Sequence, residues 1–411
     1  MTPPRTIYLD NAATSWPKPD CVPRAVTRFL EGHHGNPGRS GHAFSIEAGR
    51  VVAEARERLA HVFGLGDPLA VIFTKNATEA LNVALFGLLR PGDHVVTSVM
   101  EHNSVLRPLR RLEARGVRVS RLHCTDEGEL DLGELRAALT EKTRAIVLAH
   151  ASNVTGHIIP VPEVAEMARR SGALLVLDTA QSAGAVPIDV QSMGIDLLAL
   201  TGHKSLLGPQ GTGALLVGER ARECLEPLLV GGTGSQSDQD VHPDFLPDRL
   251  EAGTLNGPGI AGLLAALAFV EKQGIANVRA REEVLTRRLI EGLAGIPAVR
   301  ILGASSARRR GGASSTRGCA ESSSARGRVA VVSFTVEGVA PSEVAMFLEE
   351  QAGIMCRAGL HCAPLAHRRL GTFPRGAVRL SPGFFTTQDE IDVAIEAVRH
   401  VAGLTQETRH G

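Results

Sequence analysis

The stretch Leu197-Leu198-Ala199-Leu200-Thr201-Gly202-His203-Lys204 carries an apolar strand into a lysine. Lysine is scarce here: nearly all the basic residues are arginines, and the only other lysines are Lys18, Lys75, Lys142 and Lys272. Arginine keeps its charge, whereas a lysine set in a cleft can lose its proton and become an amine nucleophile. Lys204 alone among them follows a strand that reads as buried. A second such strand, Ala173-Leu174-Leu175-Val176-Leu177-Asp178, closes on an acid. An amine for a Schiff base and a carboxylate for a pyridinium nitrogen are what pyridoxal 5'-phosphate (PLP) asks of a protein. Lys204 and Asp178 together therefore predict PLP chemistry.

Other candidates gather at strand ends. Ile72-Phe73-Thr74-Lys75-Asn76-Ala77-Thr78-Glu79-Ala80 reads as strand, turn and helix start. The first amides of a helix lack internal partners and sit at its positive end, so a phosphate can settle on them. Alone, such a start is an ordinary N-cap; beside Lys204 and Asp178 it reads as a phosphate cup, with Thr78 adding a hydroxyl. His102, just past another strand, could stack on a pyridine ring, although a lone histidine is more often a polar neighbour with its bonds satisfied. Asn153 could donate to the 3-oxygen of the ring, and the alternative is a turn residue. Gln181, three positions after Asp178, is equally open. In Cys356-Arg357-Ala358-Gly359-Leu360-His361-Cys362-Ala363-Pro364, Cys362 lies in a Gly- and Pro-bounded stretch with His361 and Arg357 close by. Positive neighbours lower a thiol pKa and yield a reactive thiolate, whereas an isolated cysteine is inert by default.

The elements that must hold these residues alternate. From about 50 to 220, strands at 69–73, 94–97, 144–149, 173–178, 197–200 and 213–217 are interleaved with helical stretches, among them 51–63 and 79–89. Such alternation predicts an α/β domain with a mostly parallel sheet, whose ligands sit beyond the carboxyl ends of the strands. A helix over 260–273 follows Gly257-Pro258-Gly259. Helices near 280–293, 342–351 and 388–402 and a strand at 329–334 then suggest a smaller α+β domain. We expect a large domain over 16–265 and a small one over 266–411 together with 1–15. The segment 303–327, rich in Ser, Arg, Ala and Gly and containing Cys319, reads as a flexible insertion.

With 411 residues the chain is long enough for about two to three domains. Aromatics make up only 3% against 43% hydrophobic residues, so the core must be built from Leu, Val, Ala and Ile. The 44 basic residues balance 44 acidic ones, which gives no reason to expect nucleic acid or membrane as a partner. The first residues lack the layout of a secretory signal, and no apolar run approaches the roughly 20 residues of a membrane helix. Six scattered cysteines without a C-x-x-C pair fit reduced thiols in a cytoplasm, and no metal site is expected.

Taken together, Thr201-Gly202-His203-Lys204, Leu177-Asp178-Thr179-Ala180-Gln181, Glu251-Ala252-Gly253-Thr254-Leu255-Asn256 and Arg357-Ala358-Gly359-Leu360-His361-Cys362 closely resemble the cysteine desulfurases. These belong to the class V aminotransferase group within PLP fold type I. The resemblance runs from Leu9-Asp10-Asn11-Ala12-Ala13-Thr14 to Arg379-Leu380-Ser381. The short segment around Cys362 is similar to that of the second, SufS-like type. The resemblance implies fold type I, a large domain with a mostly parallel seven-stranded sheet and a smaller C-terminal α+β domain. It implies that Lys204 holds PLP, with His203, Thr201, Thr78 and the amide of Ala77 around the phosphate. Thr254 would reach that phosphate from the second subunit of a homodimer. His102 would stack on the ring and carry protons, Asp178 would pair with its nitrogen, and Asn153 and Gln181 would bind the 3-oxygen side. Asn11, Ala12, Arg357 and Arg379 would surround the substrate, with Arg379 clamping its carboxylate. Thr201 replaces a more usual serine, and Ala77 a threonine found in some relatives.

The activity so implied is conversion of L-cysteine to L-alanine, with the sulfur carried as a persulfide on Cys362. It then passes to an acceptor protein or thiol, for iron–sulfur cluster or other sulfur-cofactor synthesis. A selenocysteine lyase, another PLP-dependent carbon–sulfur lyase or an aminotransferase of the same fold would use the same Lys204 and Asp178. A Cys362–His361 hydrolase is disfavoured, since adjacent side chains rarely face each other.

Overall fold

A computed structural model describes residues 6–32, 34–38, 41–304 and 327–410. The expected insertion, save for Gly303, Ala304 and Gly327, and Cys319 within it lie outside the described residues. A short strand, β1 (Ile7–Tyr8), precedes the central sheet. That sheet is built from β2 (Val71–Thr74), β3 (His94–Ser98), β4 (Arg118–Leu122), β5 (Thr143–Ala149), β6 (Leu174–Asp178), β7 (Leu197–Thr201) and β8 (Gly213–Val217). Their spatial order is β2-β8-β7-β6-β5-β3-β4. All pairings from β7 across to β4 are parallel, and β8 runs antiparallel to both its neighbours. The chain is thus α/β with a mostly parallel seven-stranded sheet, as the alternation of elements predicts.

Strands β6, β7 and β8 are buried along their whole length, which is why they read as unbroken apolar runs. Strand β4 has no such run. It is an edge strand, Arg-Val-Ser-Arg-Leu, mostly half-buried with Arg118 exposed, and its sequence gives no unbroken apolar run. The expected strand at 69–73 begins later, because Pro68 opens a short 3-10 turn over Pro68–Ala70, where the Asp67 side chain accepts from Leu69 N–H.

Helices α1 (Cys21–Glu31), α2 (Ala43–Val62), α3 (Ala77–Leu88), α4 (Asn103–Glu113), α5 (Leu132–Ala138), α6 (Val161–Ser171) and α7 (Gly257–Gln273) surround this sheet. A second apolar core combines Ile7 and Leu9 with residues from Leu285 to Ala402. It is formed by α8 (Ile275–Ala294), β9 (Val299–Ile301), β10 (Val332–Val336), α9 (Pro341–Ala352), β11 (Ile354–Met355), β13 (Ala377–Leu380) and α11 (Gln388–His410), while β12 (Arg357–Gly359) lies beside β13 and α10 (Pro364–Arg369) packs through Ala366 in a smaller cluster with Met100 and Val154. Strands β12, β13, β10 and β9 form an antiparallel sheet in that order. Strand β1 pairs in parallel with β11, so the start of the chain is built into the second core. The expected strand at 329–334 is displaced towards Val332–Val336, since Val329 N–H is spent on the carbonyl of Gly156. No single helix among the described residues is long and apolar enough to cross a membrane.

Two features bring the parts of the cleft together. A Cβ at Gly213 would lie 2.7 Å from Asn76 Cα and from the carbonyl of Leu200, so only glycine lets β8 run this close under the start of α3. Arg56 and Glu251, with side chains only 8% and 6% exposed, tie α2 to the segment leading to Thr254. Arg56 Nη1 donates to Glu251 Oε1 at 2.8 Å and also to the carbonyl of Val71, while Phe73 N–H donates to the same carboxylate. Removing one partner of such a buried pair strands the other charge at a cost of about 3–5 kcal/mol. Glu251→Ala is therefore expected to lower the free energy of unfolding of the larger core by that amount. Urea titration followed by circular dichroism measures it, and a loss below about 1 kcal/mol would contradict this account.

Candidate active site

Lys204 hangs from the turn that follows β7. Gly202 is required in that turn, because a Cβ there would meet Thr212 Oγ1 at 2.2 Å. Burial lowers the pKa of Lys204 to about 8; the neighbouring Asp178 opposes the shift, and Arg379 and Arg357 reinforce it. Among the described residues no hydrogen bond or ion pair engages its Nζ, whereas its backbone carbonyl accepts from Leu207 N–H at 2.8 Å. A largely desolvated amine without a partner is an amine kept for chemistry. His203 beside it is neutral, its pKa lowered to about 4 by burial and by Lys204, and its buried Nδ1 has no partner. Thr201 is buried and donates to the carbonyl of Thr212 at 3.4 Å.

Asp178 closes β6. Its register opposite Ala149 of β5 and Ala199 of β7 places it between the carboxyl ends of both neighbours. Burial raises its pKa, against the hydrogen bond from Ala180 N–H (2.9 Å) and the charge of Lys204. Ser104 donates to its other oxygen at 3.3 Å and stands 2.8 Å from His102 Nδ1. His102 is also the N-cap of α4, its Nδ1 accepting from Ser104 N–H at 3.0 Å, so the ring proton belongs on Nε2. Burial, then the charges of Lys204, Arg357 and Arg379, hold its pKa near 4.

Sequence reasoning singled out neither Ser104 nor the adjacent Glu101. The Glu101 carboxyl is fully buried, accepts from Ser98 (2.6 Å) and Ala149 N–H (2.8 Å), and is pushed up to about 8 by burial. An acid directly after a strand was the available signal, and it was masked by the histidine beside it.

The Cys362 segment leaves β12 as two successive non-glycine residues with left-handed backbone, His361 (φ 48°) and Cys362 (φ 56°). The strain is held by side chain and main chain together. Asn153 Nδ2 donates to the carbonyl of His361 at 2.6 Å, and Asn103 N–H to that of Cys362 at 2.7 Å. Arg357 Nη2 lies 3.6 Å from Cys362 Sγ. His361, expected to add a second positive charge, does not. It is buried against His367 with its pKa driven down to about 2, so Arg357 is the cation at the thiol.

Arg379, 1% exposed, donates to Asp10 Oδ1 at 2.9 Å and to the carbonyl of Asn153 at 3.3 Å, while its Nε has no partner. Asp10 is a partner that sequence reasoning overlooked. Asn11 spends its side chain on the carbonyl of Ser381 and on Trp16 N–H, and the carbonyl of Ala12 accepts from Gln181 Nε2 at 3.1 Å. Ala77 and Thr78 occupy the first turn of α3, where the Asn76 side chain caps Glu79 N–H and leaves their own amides free. Thr254 is the outlier. It is exposed and accepts from Asn36 Nδ2 at 3.3 Å, with no hydrogen bond to the Lys204 cluster. The cluster thus offers a free amine, a buried carboxylate, unbonded helix amides, two arginines and a thiol.

The chain matches the family model "Aminotransferase class-V" over residues 7–317 and 312–393. It is 34% identical over 403 residues to a "Probable cysteine desulfurase" of Methanothermobacter thermautotrophicus, covering 97% of this chain and 95% of that one. It is 32% identical to a cysteine desulfurase of Haloferax volcanii, covering 95% and 88%. The apo structure of a cysteine desulfurase from Thermococcus onnurineus NA1 superimposes with a TM-score of 0.85 at 32% identity, over 97% of this chain and 95% of that one. For the cysteine desulfurase CsdA from Escherichia coli the TM-score is 0.82 at 29% identity, with the same coverage. The chain therefore belongs to the class-V aminotransferase family, and these relatives are named as cysteine desulfurases.

Proposed function

We propose that this protein is a PLP-dependent cysteine desulfurase that converts L-cysteine to L-alanine and takes the sulfur onto Cys362. The observation that carries the reading is the unpaired Lys204 amine beside the buried Asp178, in one cluster with Arg357 and Cys362. The names of the relatives supply the substrate class.

The residues present fit the cofactor. Asp178 is a buried carboxylate with no cation within ion-pair distance among the described residues, and a protonated ring nitrogen would be the partner it lacks. The free amides of Ala77 and Thr78, with the unpartnered Nδ1 of His203, suit a phosphate. Asn153 and Gln181 would serve the 3-oxygen side of the ring, and Thr201 the phosphate. When bound, PLP serves as the electron sink for a carbanion at the amino acid Cα.

The chain's own residues do the rest. Lys204 Nζ would anchor the cofactor and, as a free amine, would take the Cα proton, a task suited to a pKa of about 8. Asp178 would pair with the ring nitrogen. Neutral His102, with its proton on Nε2 and low basicity, would lie against the ring and pass a proton on instead of storing it. Arg379 and Arg357 receive the substrate carboxylate beside Asn11 and Ala12, and Arg357 also lies against the Cys362 sulfur. The Cys362 sulfur attacks the substrate sulfur, an S–S bond forms, and the Cβ–S bond breaks with its electron pair staying on carbon. Protonation of that carbon and return of the proton from Lys204 to Cα yield alanine and leave a persulfide on Cys362.

An acceptor protein or thiol then removes the sulfur for iron–sulfur cluster or related synthesis. We further infer a homodimer in which Thr254 serves the partner's site. Exposed apolar side chains at Leu229, Val230, Val241 and Phe245 on the same stretch of chain support a covered surface. The two cores support a division between Leu267, packed in the first, and Leu285, in the second, somewhat beyond the expected residue 265, with Ile7 and Leu9 joining the second unit. The five cysteines among the described residues, 21, 124, 224, 356 and 362, are free and suit a reducing cytoplasm.

Two measurements test this. Apoprotein mixed with PLP should gain the bound-cofactor absorbance at a rate that rises with pH and levels off above about 8. Only the unprotonated Lys204 amine reacts, and its folded pKa lies there. A rate still climbing steeply towards pH ~10 would point to an ordinary exposed lysine. Cys362→Ala should keep the cofactor absorbance yet lose alanine formation from L-cysteine by more than about 100-fold. Retained turnover would remove the persulfide step and leave the cofactor assignment standing.

A further inference from the structure

We propose that Lys18 is a positioning residue for Lys204: its ammonium completes a four-donor clamp on the carbonyl oxygen of His203, the peptide group from which Lys204 hangs. The proposal rests on the reading of Lys204 given above.

Lys18 is half-buried, and Nζ donates to Ser15 Oγ at 2.7 Å and to the carbonyl of His203 at 2.9 Å. The same oxygen lies within hydrogen-bond reach of Ser15 N–H (3.0 Å), Ser15 Oγ (3.1 Å) and Thr14 Oγ1 (3.1 Å). One or two donors would satisfy a carbonyl, which has two lone pairs. Four exceed what satisfaction requires and act as a vice on the peptide plane. The ammonium is its strongest member, because a charged donor makes a hydrogen bond roughly twice as strong as a neutral one. No carboxylate stands within ion-pair distance of Nζ among the described residues, so the charge is spent on this oxygen and on Ser15.

The clamp is anchored from the far side. Tyr8 donates to the carbonyl of Thr14 at 2.9 Å, Asn11 Oδ1 accepts from Trp16 N–H at 3.2 Å, and Ser381 Oγ accepts from Ala12 N–H at 3.0 Å. Residues 8–18 therefore form a strap from the second core to the Lys204 turn. On the other flank Leu207 N–H holds the carbonyl of Lys204 and Gly208 N–H that of Gly202, each at 2.8 Å. The backbone is fixed on both sides of a side chain whose amine is bonded to nothing. An amine that must leave the cofactor and return to it needs a stationary root, and the strap supplies one.

Hydrogen exchange of the apoprotein tests the clamp without the cofactor. Lys18→Met should speed exchange of the Leu207 and Gly208 amides by about tenfold while amides of β5 and β6 keep their protection, and Lys18→Arg should restore much of the difference. Unchanged exchange at 207–208, or acceleration spread evenly over the sheet, overturns the clamp. In parallel, PLP added to the wild-type protein is fixed with borohydride and the modified lysine is mapped. A label on any lysine other than Lys204 overturns the cofactor reading and this proposal with it. A label on Lys204 with unaltered exchange in Lys18→Met overturns the clamp alone.

Discussion

A titratable group taken out of water must be paired, hydrogen-bonded or shifted in pKa. The cleft beyond β3, β5, β6 and β7 gathers Glu101, His102, Asp178, Lys204 and Arg379 under that constraint. Each meets it differently. Arg379 has Asp10, Glu101 has a hydroxyl and an amide, and His102 gives up its positive charge. Asp178 and Lys204 are left with less than they need: a carboxylate without a cation and an amine without an acceptor. Such incomplete neutralisation is destabilising for the isolated chain, and a bound group that brings both a cationic nitrogen and an aldehyde relieves it.

The sheet sets the spacing. Parallel strands side by side end at one level, so Asp178, Thr201 and the turn after β3 emerge together although they are far apart in sequence. Gly202 and Gly213 sharpen the convergence by admitting backbone where a Cβ would collide. The second core contributes from above, through Arg357 and Arg379, which sit opposite each other in the β12–β13 pairing. The chain's own start bridges the two cores through β1 and Asp10.

What the sequence made legible follows from this arrangement. The buried strands β6, β7 and β8 and the residues at their ends could be read directly, because full burial there goes with unbroken apolar runs. Strand β4, with two arginines at the edge of the sheet, carried no such mark. Lys204 and Asp178 stood out because a basic or acidic side chain directly after an apolar strand is costly without a purpose. Ser104, Asp10 and Lys18 did not, since their roles depend on partners between 74 and 369 residues away along the chain. The charge assigned to His361 failed for a related reason: burial against His367 decides its protonation, and nothing in the local sequence reports that contact.

The left-handed pair His361–Cys362 has a mechanical corollary. With the carbonyls on both residues fastened to Asn153 and Asn103, the thiol rides on a short rigid post and not on a swinging arm. On the proposed function, a sulfur atom parked there would stay at the cleft, and whatever collects it would have to dock against the mouth of the cleft and reach inward.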